Sequence, residues 1–135
     1  METMETIILK NLIQNEDYTR RVVPFLDEEY FKDRNERTVY TLIRDHIHKY
    51  NRSPNRDALI IALDDRGGMT EQSYKDTSII IKSITDTIDP VDNEWLMDQT
   101  EKFCKDKAVY NAILRSIEII DGKSKNETKN AIPNI

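Results

Sequence analysis

The feature that most constrains the fold is an uninterrupted stretch from Asn93 to Asp121, which contains neither proline nor glycine and is followed by Gly122. Its composition and spacing predict a single helix. At about 1.5 Å per residue, such a helix is about 42 Å long. A body built from the preceding residues 1–90 is shorter than that. We therefore expect part of the helix to project from the body.

Apolar residues recur along this predicted helix in two strips. The stronger strip has seven-residue spacing, at Leu96, Phe103, Tyr110 and Ile117, and is widened by Ile113, Leu114 and Ile120. The weaker strip lies roughly opposite, at Met97, Cys104, Ala108, Ala112 and Ile119. Each strip on an amphipathic helix indicates a packing neighbour. Because a chain of this length can comfortably supply only one neighbour, we expect the other to be a second copy or another protein.

Composition narrows the fold class and the kinds of partner. With three glycines, four prolines and few alternating segments, the sequence predicts an all-α fold, a small helical bundle followed by a long projecting helix. The net charge of −5 argues against a broad basic surface for nucleic acid. No apolar run approaches the length of a membrane span, and no signal peptide is recognisable, so we expect a soluble intracellular protein without a membrane partner. The single Cys104 is interpreted as an inert thiol.

Capping residues and apolar spacing predict five helical segments before the long helix. Thr3 or Thr6 caps a first helix that ends at Asn15, and Asp17 caps a second, which Pro24 interrupts with a fresh turn. Asp27 caps a short turn from Glu28 to Phe31. The residues predicted to face inward from the second helix are Tyr18, Val22 and Phe25.

A central helix is predicted from Arg34 to Tyr50, followed by helices capped at Ser53 or Asn55 and at Thr70. The inner line of the central helix is Val39, Leu42, Ile43, Ile47 and Tyr50. The inner line of the helix after Thr70 is Tyr74, Ile81, Ile84 and Ile88, and one of Ile79 and Ile80 is expected to be exposed. The cap of the long helix is Asp92 or Asn93.

Three regions follow from this pattern: a helical body over 1–90, a long helix over 93–121 and a terminal segment over 122–135. Residues 123–130 are polar without apolar periodicity, which predicts a flexible linker. Apolar character returns at 131–135 and then stops, as though more chain followed.

Few residues have the spacing of a chemical site. His46 and His48 are two apart on a helix and point in different directions, whereas helical metal ligands need a spacing of three or four. Gly67 and Gly68 lack the phosphate-binding frame of a P-loop. The acidic clusters fall at predicted helix ends, where acids act as caps. We therefore predict no catalytic residue, no metal ligand and no cofactor site in this chain.

The most basic stretch supplies a weaker candidate. Its arginines could contact phosphates or an acidic partner, although a solvated surface explains them more simply. These candidate contact residues are Arg20, Arg21, Arg34 and Arg37.

Three motifs taken together resemble a known family. They are V-P-x-x-D-x-E-Y-F beginning at Val23, Y-x-x-x-P beginning at Tyr50, and W-L-x-x-x-T-E-K beginning at Trp95. In this order they resemble the N-terminal domain of the replicative DNA helicases of T-even-type bacteriophages, within the DnaB-like helicase family. The resemblance covers nearly the whole chain.

The resemblance implies a helical body followed by an antiparallel helical hairpin, in a ring hexamer that moves along single-stranded DNA using ATP. In that family the N-terminal domains form a collar through hairpin and body contacts and take part in primase recruitment. This chain contains no P-loop. We therefore expect ATP and Mg²⁺ to bind in a RecA-like motor domain of the same protein. The resemblance also implies that the long helix is the first hairpin arm and that residues 122–135 are a linker and the truncated start of the second arm, near Ile132.

The sequence thus predicts a non-catalytic collar domain that acts in the cytoplasm of the infected host. The expected partners are copies of itself, from dimer to hexamer, DNA primase and the motor domain, with single-stranded DNA contacted only indirectly. The predicted assembly residues are Leu96, Phe103, Tyr110, Ile113, Ile117 and Ile120. Two alternatives stay open, a helicase-binding adaptor domain of a primase-like protein and a small helical nucleic-acid-binding module.

Overall fold

Six α-helices and two 3-10 turns make up the fold in a computed structural model that describes the backbone of residues 2–131 and the side chains of residues 2–122. The helices are α1 (Met4–Gln14), α2 (Glu16–Val22), α3 (Arg34–Tyr50), α4 (Arg56–Arg66), α5 (Glu71–Asp86) and α6 (Asn93–Ala131). The 3-10 turns, Val23–Phe25 and Glu28–Tyr30, lie between α2 and α3. Residues 2–131 contain no strand, so the predicted all-α fold is confirmed.

Side-chain caps fix where the helices of the body begin. Thr3, Asp33 and Thr70 each accept a hydrogen bond from the backbone N–H three residues on. The prediction that Asp17 caps α2 is wrong. Asn15 has an extended backbone and accepts from the N–H of Tyr18, so α2 begins before Asp17.

One continuous core joins all six helices. It is centred on α3, which packs against α1, α4 and α5. The buried apolar residues are Ile8, Leu9, Leu12, Tyr18, Val22, Leu26, Phe31, Val39, Tyr40, Leu42, Ile43, Leu59, Leu63, Ile81, Ile84, Leu96 and Phe103. Two of these come from α6, so the long helix is partly a core element.

Three residues predicted to face the core are instead exposed: Phe25, Tyr50 and Ile88 are 72%, 57% and 80% exposed. Tyr50 is the last residue of α3, and Ile88 lies beyond the end of α5 at Asp86, so helical spacing no longer determines their direction. Phe25 lies in a 3-10 turn with Pro24 in its first turn, which rotates it away from the inner side of α2.

The predicted end of the long helix at Asp121 is also wrong. α6 continues through Gly122 to Ala131, and the expected linker over 123–130 is helical. A glycine inside a helix costs about 1 kcal/mol relative to alanine and does not by itself end the helix. The segment that follows Gly122 contains no proline before Pro133. Residues 132–135, where the second hairpin arm is expected to begin, lie outside the described residues.

Polar contacts from α1 hold the connection between α5 and α6. The buried ammonium of Lys10 donates to carboxylates of Glu2 and Asp89, with 3.0 Å between Nζ and Oδ2 of Asp89. These hydrogen bonds raise the pKa of Lys10, the bond to Glu2 most. The amide of Gln14 donates to the backbone oxygen of Asp89 at 2.9 Å. The start of α6 is thereby fixed relative to α1.

Candidate assembly surface

The first three turns of α6 are anchored in the body. Leu96, Thr100 and Phe103 are 0%, 3% and 7% exposed. The hydroxyls of Tyr18 and Thr100 are 2.8 Å apart and form a buried hydrogen bond between α2 and α6. Burial raises the pKa of Tyr18 well above its usual value, so this hydroxyl stays protonated at ordinary pH.

Aromatic side chains join α6 to the rest of the body. The ring of Phe103 lies 6.5 Å from that of Tyr30 in an edge-on arrangement and 6.1 Å from that of Phe31. Phe31 in turn stacks on Tyr40 of α3 at 4.8 Å. Tyr30 and Phe31, at the end of the second 3-10 turn, therefore pack α6 against the central helix.

This packing corrects part of the predicted assembly set. Leu96 and Phe103 share seven-residue spacing with Tyr110 and Ile117, but the body covers them and leaves them unavailable to a second copy. The reason is geometric, because the body is long enough to cover only the first part of the stripe.

Contacts to the body extend about six turns into α6. The side-chain amide of Asn111 donates to the backbone oxygen of Glu29 at 3.3 Å, and a guanidinium nitrogen of Arg115 lies 3.3 Å from Oε2 of Glu29. On a helical projection these two residues lie roughly 120° or more from the centre of the remaining apolar stripe. The two contacts to Glu29 therefore hold α6 against the body without covering that stripe.

The rest of the stripe forms an exposed surface that we call the distal seam. Its residues are Tyr110, Ile113, Leu114, Ile117 and Ile120, which are 54%, 54%, 41%, 50% and 62% exposed. They fall within about 120° of the helix circumference. Four of them, Tyr110, Ile113, Ile117 and Ile120, alternate at spacings of three and four residues as in a two-heptad coiled-coil seam, and Leu114 widens it. A second helix packed alongside would bury all five residues.

The four candidate arginines do not form one surface. Arg20 pairs with Glu16 at 2.9 Å and Arg21 with Asp17 at 3.5 Å, both along α2. The Nε of Arg37 donates to the backbone oxygen of Phe31 at 3.2 Å. Arg34 is exposed at the start of α3. Ion pairs within α2 thus engage the guanidinium groups of Arg20 and Arg21, and a hydrogen bond to the backbone engages that of Arg37.

Arg20 and Arg21 lie beside different clefts. Arg20 borders a cleft that also contains His48 and Arg52, whereas Arg21 borders an apolar groove that contains Phe25. Sequence reasoning missed this groove, which becomes visible only once Phe25 is known to point outward. The one signal was the Val23-Pro24 step, which favours a turn over a continued helix.

The other candidate groups have structural surroundings. Burial raises the pKa of the Cys104 thiol to about 11, and the half-buried His46 contacts the ring of Tyr50 at 4.7 Å. Gly67 and Gly68 have positive φ angles in the turn between α4 and α5.

Within the described side chains, no group of three or more acidic, histidine or cysteine residues could hold a metal ion. None of the described helices is long and apolar enough to cross a membrane.

A curated protein described as "DnaB-like replicative helicase", from Enterobacteria phage T4, is 34% identical to this chain over 116 residues. The chain is similar to part of a DnaB-like replicative helicase. The matched region is 86% of this chain and 24% of the helicase, which is consistent with an N-terminal domain and confirms the resemblance read from the motifs. No protein-family model matches the chain.

Proposed function

We propose that this chain is the N-terminal collar domain of a phage DnaB-like replicative helicase and that it acts in DNA replication by joining protomers into a ring. The similarity to a replicative helicase and the long helix with its exposed apolar side both support this role. In this role the domain holds the protomers together and positions their motor domains. We assign ATP and Mg²⁺ binding, and movement along single-stranded DNA, to a RecA-like motor domain of the same protein.

The distal seam is the observation that carries the proposal. Five large apolar side chains, all at least 41% exposed, follow one side of α6 beyond the body. Burying apolar area is worth about 25 cal/mol per Å², so a helix packed along this side gains several kcal/mol in total. Contiguous exposed apolar patches of this kind mark interaction sites. The seven-residue spacing specifies a helix as the neighbour, and a copy of α6 supplies one.

We further propose that the assembled collar, in the cytoplasm of the infected cell, contacts DNA primase. This partner follows from the proposed place in a replicative helicase. The ordered rows of helices in an assembled collar would present several equivalent surfaces to it, which strengthens weak individual contacts.

The test uses the purified chain, its cognate primase and a seam variant. We expect wild type to self-associate and to capture primase, and Tyr110→Glu with Ile117→Asp to do neither while keeping its helical circular dichroism. Capture of a helicase motor in place of primase would favour the adaptor alternative. Binding to single-stranded DNA that weakens steeply with salt would favour the nucleic-acid-binding alternative.

A separate assay tests the non-catalytic role. The chain alone is expected neither to hydrolyse ATP nor to unwind a forked DNA. Turnover that survives repeated purification and is abolished by a substitution in this chain would contradict the assignment.

A further inference from the structure

An open groove of about 730 Å³ runs between α3 and α4, and we call it the α3–α4 groove. The connection over residues 51–55 is short, so the start of α4 lies beside the end of α3 and the two helices run antiparallel. Each helix lines the groove with residues about one turn apart, Leu42, His46 and Tyr50 on α3 and Ala58, Ile61 and Ala62 on α4. A groove between two helices with this spacing is typical of surfaces that receive a third helix.

The shape of the groove follows from the size of its residues. The methyl groups of Ala58 and Ala62 leave its floor open, whereas the large side chains of Tyr50 and Ile61 stand at its edges and are 57% and 60% exposed. The ring of Tyr50 is held by contacts to the ring of His46 at 4.7 Å and to the ammonium of Lys49, 5.4 Å from the ring centroid. A held ring loses little conformational freedom on binding, so Tyr50 is suited to anchor a partner.

The two ends of the groove carry opposite charges. Asp65 lies in the last turn of α4, at the Leu42 end, and Lys49 lies in the last turn of α3, at the Tyr50 end. Neither side chain makes an ion pair with another described side chain. An acid near the carboxyl end of a helix is also unfavourable for the helix dipole. Asp65 would therefore gain from a cation supplied by a partner.

We propose that the α3–α4 groove binds a short amphipathic helix of a different protein. Aliphatic side chains of that helix lie over Ala58 and Ala62, an acid lies opposite Lys49, and a lysine or arginine lies opposite Asp65. Helices favour acids in their first turn and bases in their last turn. The bound helix therefore runs from the Tyr50 end to the Leu42 end, antiparallel to α3.

The occupant is a different protein because the chain's own candidate is already used. Among the described helices, α6 alone has an apolar side of several exposed residues, and the proposed ring covers it. The groove and the distal seam share no residue, so one can be occupied without the other. The new contact thus goes beyond the proposed function and does not depend on it.

The test uses a designed peptide as the probe. It has about 15 residues, the length at which an isolated helix becomes stable, with leucines along one side, glutamates in the first turn and lysines in the last. The labelled peptide is titrated with the chain and followed by fluorescence anisotropy. Because its leucines can also bind the distal seam, the chain carries Ile117→Asp.

We expect saturable binding in the micromolar range that Ile61→Glu weakens about tenfold or more, since it places a charge at the apolar edge of the groove. The matched control is Ile79→Glu, which changes a 63% exposed residue of α5 outside the groove and should leave binding unchanged. Circular dichroism checks that both variants stay folded. No saturable binding, or equal effects of the two variants, would overturn the proposal.

A charge reversal tests the polarity of the groove. Replacing the lysines of the peptide with glutamates should weaken binding about fivefold, because attraction to Asp65 becomes repulsion. Asp65→Lys should reverse this preference, so that the chain binds the acidic peptide more tightly. Equal affinities of the two peptides, or an unchanged preference in Asp65→Lys, would refute the assigned direction and partner charge.

Sedimentation equilibrium of Ile61→Glu, without the seam substitution, keeps this contact apart from the proposed function. We expect the variant to associate like wild type while it fails to bind the peptide. Loss of association in Ile61→Glu would show that the groove joins copies of this chain and would overturn the proposal. Monomeric wild type that still binds the peptide would reject the proposed function and support the groove.

Discussion

Phe103→Ala separates the two roles that one apolar stripe plays along α6. The ring is 7% exposed and packs between Tyr30 and Phe31, so truncation removes a core aromatic and leaves a cavity beneath the second 3-10 turn. Such substitutions cost about 3–5 kcal/mol. Because a domain of this size is stable by about 5–15 kcal/mol, the loss is a large fraction of the total.

The assay is urea unfolding followed by circular dichroism at micromolar protein or below. With a slope of about 1–3 kcal/mol per molar urea, Phe103→Ala should lower the midpoint by on the order of 2 M. Tyr110→Ala is the matched control. It lies one heptad along the same stripe but is 54% exposed, and an exposed truncation costs about 0.5 kcal/mol or less. Similar losses in the two variants would refute the division of the stripe into a body-covered part and a distal seam.

Three further measurements test the packing around α6. Tyr18→Phe should cost about 1–3 kcal/mol of unfolding free energy because it orphans the buried hydroxyl of Thr100, and adding Thr100→Val should recover part of the loss. The thiolate absorbance of Cys104 should appear near pH 11 in the native protein and about two units lower in urea; equal values would contradict its burial. Lys10 has a raised pKa, so its contribution is complete below pH about 10.4 and is lost as pH rises through the folded value. Lys10→Met should remove this loss of stability at alkaline pH. An unchanged dependence of the unfolding free energy on pH would contradict the role of the ion pairs of Lys10 with Glu2 and Asp89.

Much of the fold could be predicted from the sequence, because the ends of helices depend on capping residues that are close in sequence. The predicted cap at Thr70, and Asn55 as one of the two caps predicted for α4, are confirmed because such side chains satisfy free backbone N–H groups only three residues away. The predicted bounds of α3, Arg34 to Tyr50, are also confirmed, because helical spacing of its apolar residues extends over this segment. The prediction that Asp17 caps α2 failed because Asn15, which was taken only as the end of α1, also caps well and has the extended backbone of a cap residue.

Exposure at element ends was less predictable because it depends on tertiary packing. Phe25 and Ile88 match an inward-facing helical pattern, yet each lies where the helix has already ended or tightened. Leu96 and Tyr110 are indistinguishable by spacing, and only the extent of the body determines which is covered. Gly122 was assigned to a helix end on local preference, whereas the backbone stays helical past it.

The most direct test of the account is the mass of the chain when charge is placed on the distal seam. Sedimentation equilibrium of wild type should show reversible association that Ile117→Asp weakens strongly. The matched control is Ile119→Asp, which places the same charge at a 68% exposed position about 160° around α6 from the seam centre and should leave association intact. Monomeric wild type at high concentration, or equal loss of association in the two variants, would contradict assembly through the distal seam.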